Sequence, residues 1–207
     1  MNKMIDIQKE LDKLYPSVGC ELIYDNDVFH LLIAVMLSAQ TTDKKVNIVT
    51  RVLFDRYKTI DDLINADVKS IEEIIKPLGI ASIKSKRIKD IAYTIKNKYN
   101  GIVPSQKEEL VTLPGVGVKT ANVIRVEYFK IPEFPVDTHV HRVSIRLGIV
   151  PSAATVEFTE ATLRNKFDSK YWGKLHHQFI HFGRYKCKAI NPDCTNCPFK
   201  TICIKNN

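Results

Sequence analysis

The stretch Leu113-Pro114-Gly115-Val116-Gly117 constrains this chain more than any other. It lies between two helical patterns, and its two glycines free the backbone to reverse sharply over a few residues. A tight turn that opens directly into a helix leaves backbone N–H groups unpaired, and such groups suit a phosphate oxygen. Ser105-Gln106-Lys107-Glu108 reads as a capping box that starts a short helix ahead of the turn. The segment of about 105–129 therefore has the order helix, glycine-rich hairpin, helix. Lys119 stands two residues past the second glycine, in the first turn of the following helix. The helix dipole disfavours a cation there by roughly 0.3–1 kcal/mol. A solvated lysine is the plain account of that placement, and a functional lysine is the sharper one.

The rest of the chain reads as helical almost throughout. Ile7, Leu11, Leu14 and Tyr15 make an amphipathic helix over 5–15, stopped by Pro16. Asp27 caps a run from Val28 to Leu37 that is apolar nearly all round, which predicts a central buried helix. Gln40 follows it in the polar junction of residues 38–43. Further helices are expected over 46–57 and 70–78, the second ended by Gly79. Lys84, Lys86, Arg87 and Lys89 then share a segment with Ile88, Ile91, Ala92 and Ile95, a helix with a basic entrance beside the turn of residues 79–82. A solvated face accounts for it simply; the neighbouring turn favours a face that tracks phosphates. Asp137 precedes a helical pattern over 138–147, and its spacing makes it an N-cap. A carboxylate at a helix start is also held ionised and oriented, which suits it to stabilising positive charge. Helices over 155–167 and 171–182 close the series, the last ended by Gly183. His177 and His181 on that helix have zinc-like spacing, but no further ligand accompanies them, so packing or a phosphate contact is the reading taken.

Charge narrows the partners. Lysine and arginine number 31 against 23 acidic residues, a net charge of +8 that favours a polyanion, nucleic acid before membrane. Residues 1–10 are polar and mixed in charge, unlike a secretory signal, and the apolar run over 31–37 is too short to span a bilayer. Cytoplasmic residence is expected.

The sharpest spacing lies in the tail. Cys187, Cys194, Cys197 and Cys203 read C-x6-C-x2-C-x5-C. Four thiolates in so short a loop can wrap one compact inorganic centre, and zinc and a [4Fe–4S] cluster both accept four sulfurs. Spacing alone does not separate them. A disulfide framework does not suit a cytosolic chain, and the isolated Cys20 reads as a small core residue.

Taken together, LPGVGVKTAN, VDTHVHRV, LLIAVMLSAQTTD, FGRYKC and the four-cysteine tail resemble the endonuclease III family of the helix–hairpin–helix DNA glycosylase superfamily. The likeness runs in order over nearly the whole chain. It implies an all-α fold of two helical domains flanking a DNA-binding cleft. One is a helical barrel at 21–132 containing the hairpin; the other joins 1–20 to 133–207 and holds one [4Fe–4S] cluster in the loop 187–203. It implies a bifunctional DNA glycosylase and abasic-site lyase of base excision repair, acting as a monomer on double-stranded DNA with damaged pyrimidines or abasic sites. In a bacterium such a protein would be nucleoid-associated.

Carried onto this sequence, the resemblance makes Lys119 the nucleophile and Asp137 the essential carboxylate, with Lys119 partly desolvated so that its amine is more readily neutral. Gln40 fills the gap left by a flipped base and Ile80 is the apolar wedge beside it. Further DNA contacts fall on Lys84, Leu113, Gly115, Val116, Gly117, Val118, Thr120, His139 and Arg142, and the cluster ligands on the four tail cysteines. Two positions depart from the family pattern. Ala81-Ser82 are small where a bulky residue is usual, and Val118 stands where a basic residue often does. A pure DNA-binding module and an iron–sulfur electron carrier are the rival readings. Neither accounts for Lys119 together with Asp137. A monofunctional glycosylase would lack a lysine at position 119.

Overall fold

The computed structural model describes residues 3–205, and every regular element among them is helical. The chain divides into two compact units: Glu21–Lys130, and Met1–Cys20 together with Ile131–Asn207. No helix among the described residues is long and apolar enough to cross a membrane.

In the unit Glu21–Lys130 the organising element is α2 (Val28–Leu37). Asp27 caps it by accepting from the Phe29 and His30 amides at 2.7 and 3.0 Å. All of its residues except Val28 and His30 are buried, as its all-round apolar character requires. α3 (Asp43–Arg56) packs on it; α5 (Val68–Ile75) packs on α3 and on α6 (Ala81–Lys98), and α4 (Ile60–Asn65) packs on α6. α3 starts ahead of the expected Val46 because the Thr42 hydroxyl caps it. α4 was not foreseen: its six residues are too short to show a period, although Thr59 and Asp62 form a complete capping box. α5 is capped by Asp67 and runs into a 3₁₀ turn over Lys76–Leu78, ended by Gly79 at φ +69°. The expected capping box at Ser105 does not form. Gln106 occupies the cap position without a side-chain bond, and α7 (Lys107–Leu110) is a single turn. The Ser105 carbonyl instead accepts from Arg125 of α8 (Val118–Glu127).

The second unit packs α1 (Lys3–Leu14), α9 (Thr138–Arg146), α10 (Val156–Lys166) and α11 (Trp172–His181). Phe134, Phe167 and Phe179 meet at its centre with ring centroids 6.2–6.5 Å apart, among Ile7, Leu11 and Leu163. Gln178 ties α11 to α1 by donating to Asp12 Oδ1 and to the Tyr15 carbonyl at 2.9 and 3.0 Å. His176 and His177 are buried and His181 packs against Tyr15 and Tyr185, so the histidines pack rather than gather as ligands. Gly183 does not end α11 as its residue type implies. The helix widens into a π turn over Phe182–Lys186. A Cβ on Gly183 would meet that of His139 at 2.9 Å, so this glycine serves close packing on α9.

Candidate active site

The hairpin is anchored by its apolar residues and left open at its tip. Leu113 and Val116 are buried, and the Val116 amide donates to the Leu113 carbonyl at 3.0 Å. Their side chains therefore cannot reach DNA, and the Val116 N–H is already spent. Their side chains anchor the hairpin, which leaves any contact of these two residues with DNA to their backbone atoms. Gly115 has φ +77°, and a Cβ there would lie 2.7 Å from Arg87 Cδ. The positive φ is what calls for glycine here, since the exposed Arg87 side chain can shift. Arg87, exposed on α6, thus lies across the tip. Gly117 caps α8 in extended backbone with no side-chain bond. The first intrahelical bond runs from Ala121 back to Gly117, so the amides of Val118, Lys119 and Thr120 point out of the helix end without a helical partner. An anion is the natural guest for such a group of donors.

Lys119 stands on that first turn and is exposed. The partial burial expected for it is not found within this chain, because the open hairpin puts no wall against its side chain. Val118 beside it is likewise exposed.

Gln40 and Ile80 share an uncommon backbone state, with φ +61° and +50°. Non-glycine residues held there cost of order 1–3 kcal/mol each, and a β-branched isoleucine is the more strained. Both are exposed. Ala81-Ser82, read from sequence as part of the turn, belong to the first turn of α6, with Ile80 as its cap residue.

Lys84, expected among the DNA contacts, lies inside the unit. It is buried, and its Nζ donates to the carbonyls of Leu37, Ala39 and Leu78 at 3.0, 3.0 and 3.2 Å. An ammonium has three N–H donors, so none remains for a phosphate. Burial pushes its pKa below the usual lysine value, and the Arg87 charge pushes the same way. Of the basic residues at the start of α6, Arg87 is the one that reaches the hairpin.

In the other unit Asp137 caps α9. Its Oδ1 accepts from the His139 and Val140 amides at 2.9 and 2.8 Å, which fixes the carboxylate plane and leaves Oδ2 out of the cap. His139 is half-buried; burial lowers its pKa, Asp137 opposes that, and Arg142 and Arg184 reinforce it. Arg142 is held mainly through one side of its guanidinium: Nε and NH2 donate to the carbonyls of Gly183 and Cys187, NH2 meets His139 Nδ1 at 3.2 Å, and NH1 makes one longer bond of 3.5 Å to the Thr138 carbonyl.

The four tail cysteines are all free thiols, and they line one cavity with Phe182, Phe199 and Arg146. Arg146, which the sequence did not single out, donates from NH1 to Cys187 Sγ at 3.3 Å and to the carbonyls of Cys187 and Lys188. Burial raises the Cys197 pKa; the Phe199 amide opposes this, and charge on Cys187 adds to it. Four such thiolates repel one another, so the set fits a cationic centre between them. Cys20, by contrast, is half-buried and apart from the group.

The model of the HhH-GPD superfamily of base excision DNA repair proteins matches residues 33–169. The endonuclease III of Bacillus subtilis (strain 168) is 44% identical over 93% of this chain and 89% of its own length. The chain belongs to the endonuclease III family. The endonuclease III of Rickettsia felis is 41% identical over 98% of this chain and 93% of its own. A solved non-covalent endonuclease III–DNA complex is 41% identical, with a TM-score of 0.95, covering 100% of this chain and 96% of that one. A trapped endonuclease III–DNA covalent intermediate matches with a TM-score of 0.94 at 41% identity, over 100% and 98%. A thermostable thymine-DNA glycosylase, 20% identical with a TM-score of 0.84, shares the fold alone. The all-helical architecture expected from the sequence is thus the family's own, and the chain is a base excision repair enzyme, a DNA glycosylase and abasic-site lyase.

Proposed function

We propose that this chain excises oxidised pyrimidines from double-stranded DNA and then cuts the strand, with Lys119 as nucleophile and Asp137 as the carboxylate that serves it. The observation that carries this reading is Lys119 itself. It is an exposed lysine on the first turn behind an anion-ready hairpin, in a chain 41% identical to an enzyme trapped covalently on DNA.

The neutral Lys119 amine attacks sugar C1′ as the bond to the base breaks, and the base leaves with the electron pair and takes up a proton. Opening of the sugar ring gives the Schiff base between C1′ and Nζ. Loss of a C2′ proton then expels the 3′ phosphate by β-elimination, and water frees the lysine. Asp137 Oδ2, held outside the α9 cap, offsets the positive charge that develops on the sugar and takes the amine proton. Lys119 is exposed in the free chain, and bound DNA would exclude water around it. The amides of Val118, Lys119 and Thr120, with Arg87 alongside, hold a backbone phosphate. Gln40 and Ile80 enter the stack where the base has left, and His139 lies beside Asp137 at the same helix start.

Cys187, Cys194, Cys197 and Cys203 would hold one [4Fe–4S] cluster. Four free thiols ringing one cavity support this. When bound, the cluster neutralises the thiolates and fixes the loop. Glu21–Lys130 would be the family's helical barrel and the other unit its cluster domain. The enzyme acts as a monomer in the cytoplasm, at the nucleoid in a bacterium.

Incubated with a duplex carrying one thymine glycol, the purified protein should release the base and leave a nicked strand ending in an unsaturated aldehyde. An intact strand with an abasic site would reduce it to a monofunctional glycosylase. The same preparation should carry iron and acid-labile sulfide, and stoichiometric zinc would overturn the cluster assignment.

A further inference from the structure

We infer that Lys84 is a positioning residue that clamps the two DNA-probing loops together, setting Gln40 and Ile80 as one unit. The inference rests on the reading that these two residues enter the DNA stack.

One nitrogen holds both loops. Lys84 Nζ binds the Ala39 carbonyl, one residue before Gln40, and the Leu78 carbonyl, two residues before Ile80. Its third bond goes to Leu37, the last residue of α2. The Lys84 amide donates in turn to the Ile80 carbonyl at 3.1 Å. Every donor of this side chain therefore ends on a backbone that leads into one of the two probes. Among the described residues no carboxylate pairs with the buried ammonium; the Leu37 and Leu78 carbonyls sit at helix C-terminal ends, where a cation is favoured. An apolar side chain would fill the same space without desolvating a charge, but it could not hold three carbonyls at a common point.

The backbone on either side shows why a clamp is needed. Gln40 and Ile80 both occupy the left-handed region, where neither residue type rests unaided. Such conformations persist only where the surrounding structure over-determines them. The Lys84 bonds supply that constraint, fixing the segment ahead of each strained residue. The lowered pKa of Lys84 agrees with a desolvated ammonium whose bonds go to carbonyls rather than to an acid.

The test uses the full-length protein and a duplex with one thymine glycol opposite 2-aminopurine, whose fluorescence rises when the opposite base is unstacked. Lys84→Met is compared with wild type for duplex affinity, for the fluorescence rise and for single-turnover excision, below its own melting temperature. We expect affinity within about threefold, a fluorescence rise cut by half or more, and excision slowed about 10–100-fold, the scale of a misplaced group remote from the chemistry. If the methionine variant does not fold, Lys84→Arg keeps the charge but spreads its donors over a planar fork, and it carries the same readings. A folded variant with wild-type fluorescence and rate overturns the clamp, and so does one that merely melts earlier while excising normally. Gln40→Ala and Ile80→Ala are run in parallel. If both keep the full signal and rate, the probing role of these residues fails first, and the clamp falls with it.

Discussion

Asp137 divides two tasks between two oxygens. Oδ1 accepts two amides of α9, and Oδ2 stays outside the cap. This separation makes its chemistry testable apart from its structural role. Asparagine caps a helix about as well as aspartate, whereas alanine forfeits typically about 1 kcal/mol. Asp137→Asn should therefore melt close to wild type while its single-turnover excision falls by about 10²–10³-fold, the loss typical of one electrostatic group. Asp137→Ala should lose both, and unchanged excision by the asparagine variant would leave Asp137 a cap alone. Residue roles were unevenly legible in the sequence. Asp137 was readable as a cap because the helical period begins directly after it. The burial of Lys84 has a signal in the sequence: it stands four residues before Ile88 and seven before Ile91, on the buried stripe of α6. A lysine is so seldom buried that residue type outweighed period. Arg142 left no such signal, since its partners at Gly183 and Cys187 come from distant sequence.

Among the elements, the hairpin carries the most sequence information because its conformation demands particular residues. Gly115 needs a positive φ and leaves room for Arg87, and Gly117 caps a helix with no side chain in the way of an anion. Gly115→Ala should cost roughly 1–2 kcal/mol of backbone strain and displace Arg87. Its affinity for undamaged duplex should fall about tenfold, the scale of a hydrogen bond to a charged group; wild-type affinity in a titration at fixed salt would remove the hairpin from the DNA interface. Elements without such demands were harder to read. α4 is six residues long and lacks a period. The turn after α11 was hidden because glycine usually ends a helix, yet Gly183 serves the approach of α9 and the chain continues as a π turn.

The whole molecule brings three features from different parts of the chain to one reaction. These are an exposed lysine behind an open hairpin, a carboxylate oriented by a helix start, and four free cysteines around one cavity. The net charge of +8 and the match to endonuclease III over nearly the full length give them a common substrate in DNA. The helical class was legible because periods of the helical kind recur in the longer elements, from α1 to α11. Lys119 and Asp137 lie in different units, so their cooperation in one reaction was reached through chemistry and resemblance rather than local pattern. Borohydride trapping puts that cooperation to the most direct test. Wild type and Lys119→Ala are incubated side by side with borohydride and a duplex carrying one oxidised pyrimidine. The account predicts a covalent protein–DNA adduct with wild type and none with the alanine variant, which still binds the duplex. An adduct of equal yield from Lys119→Ala would contradict it.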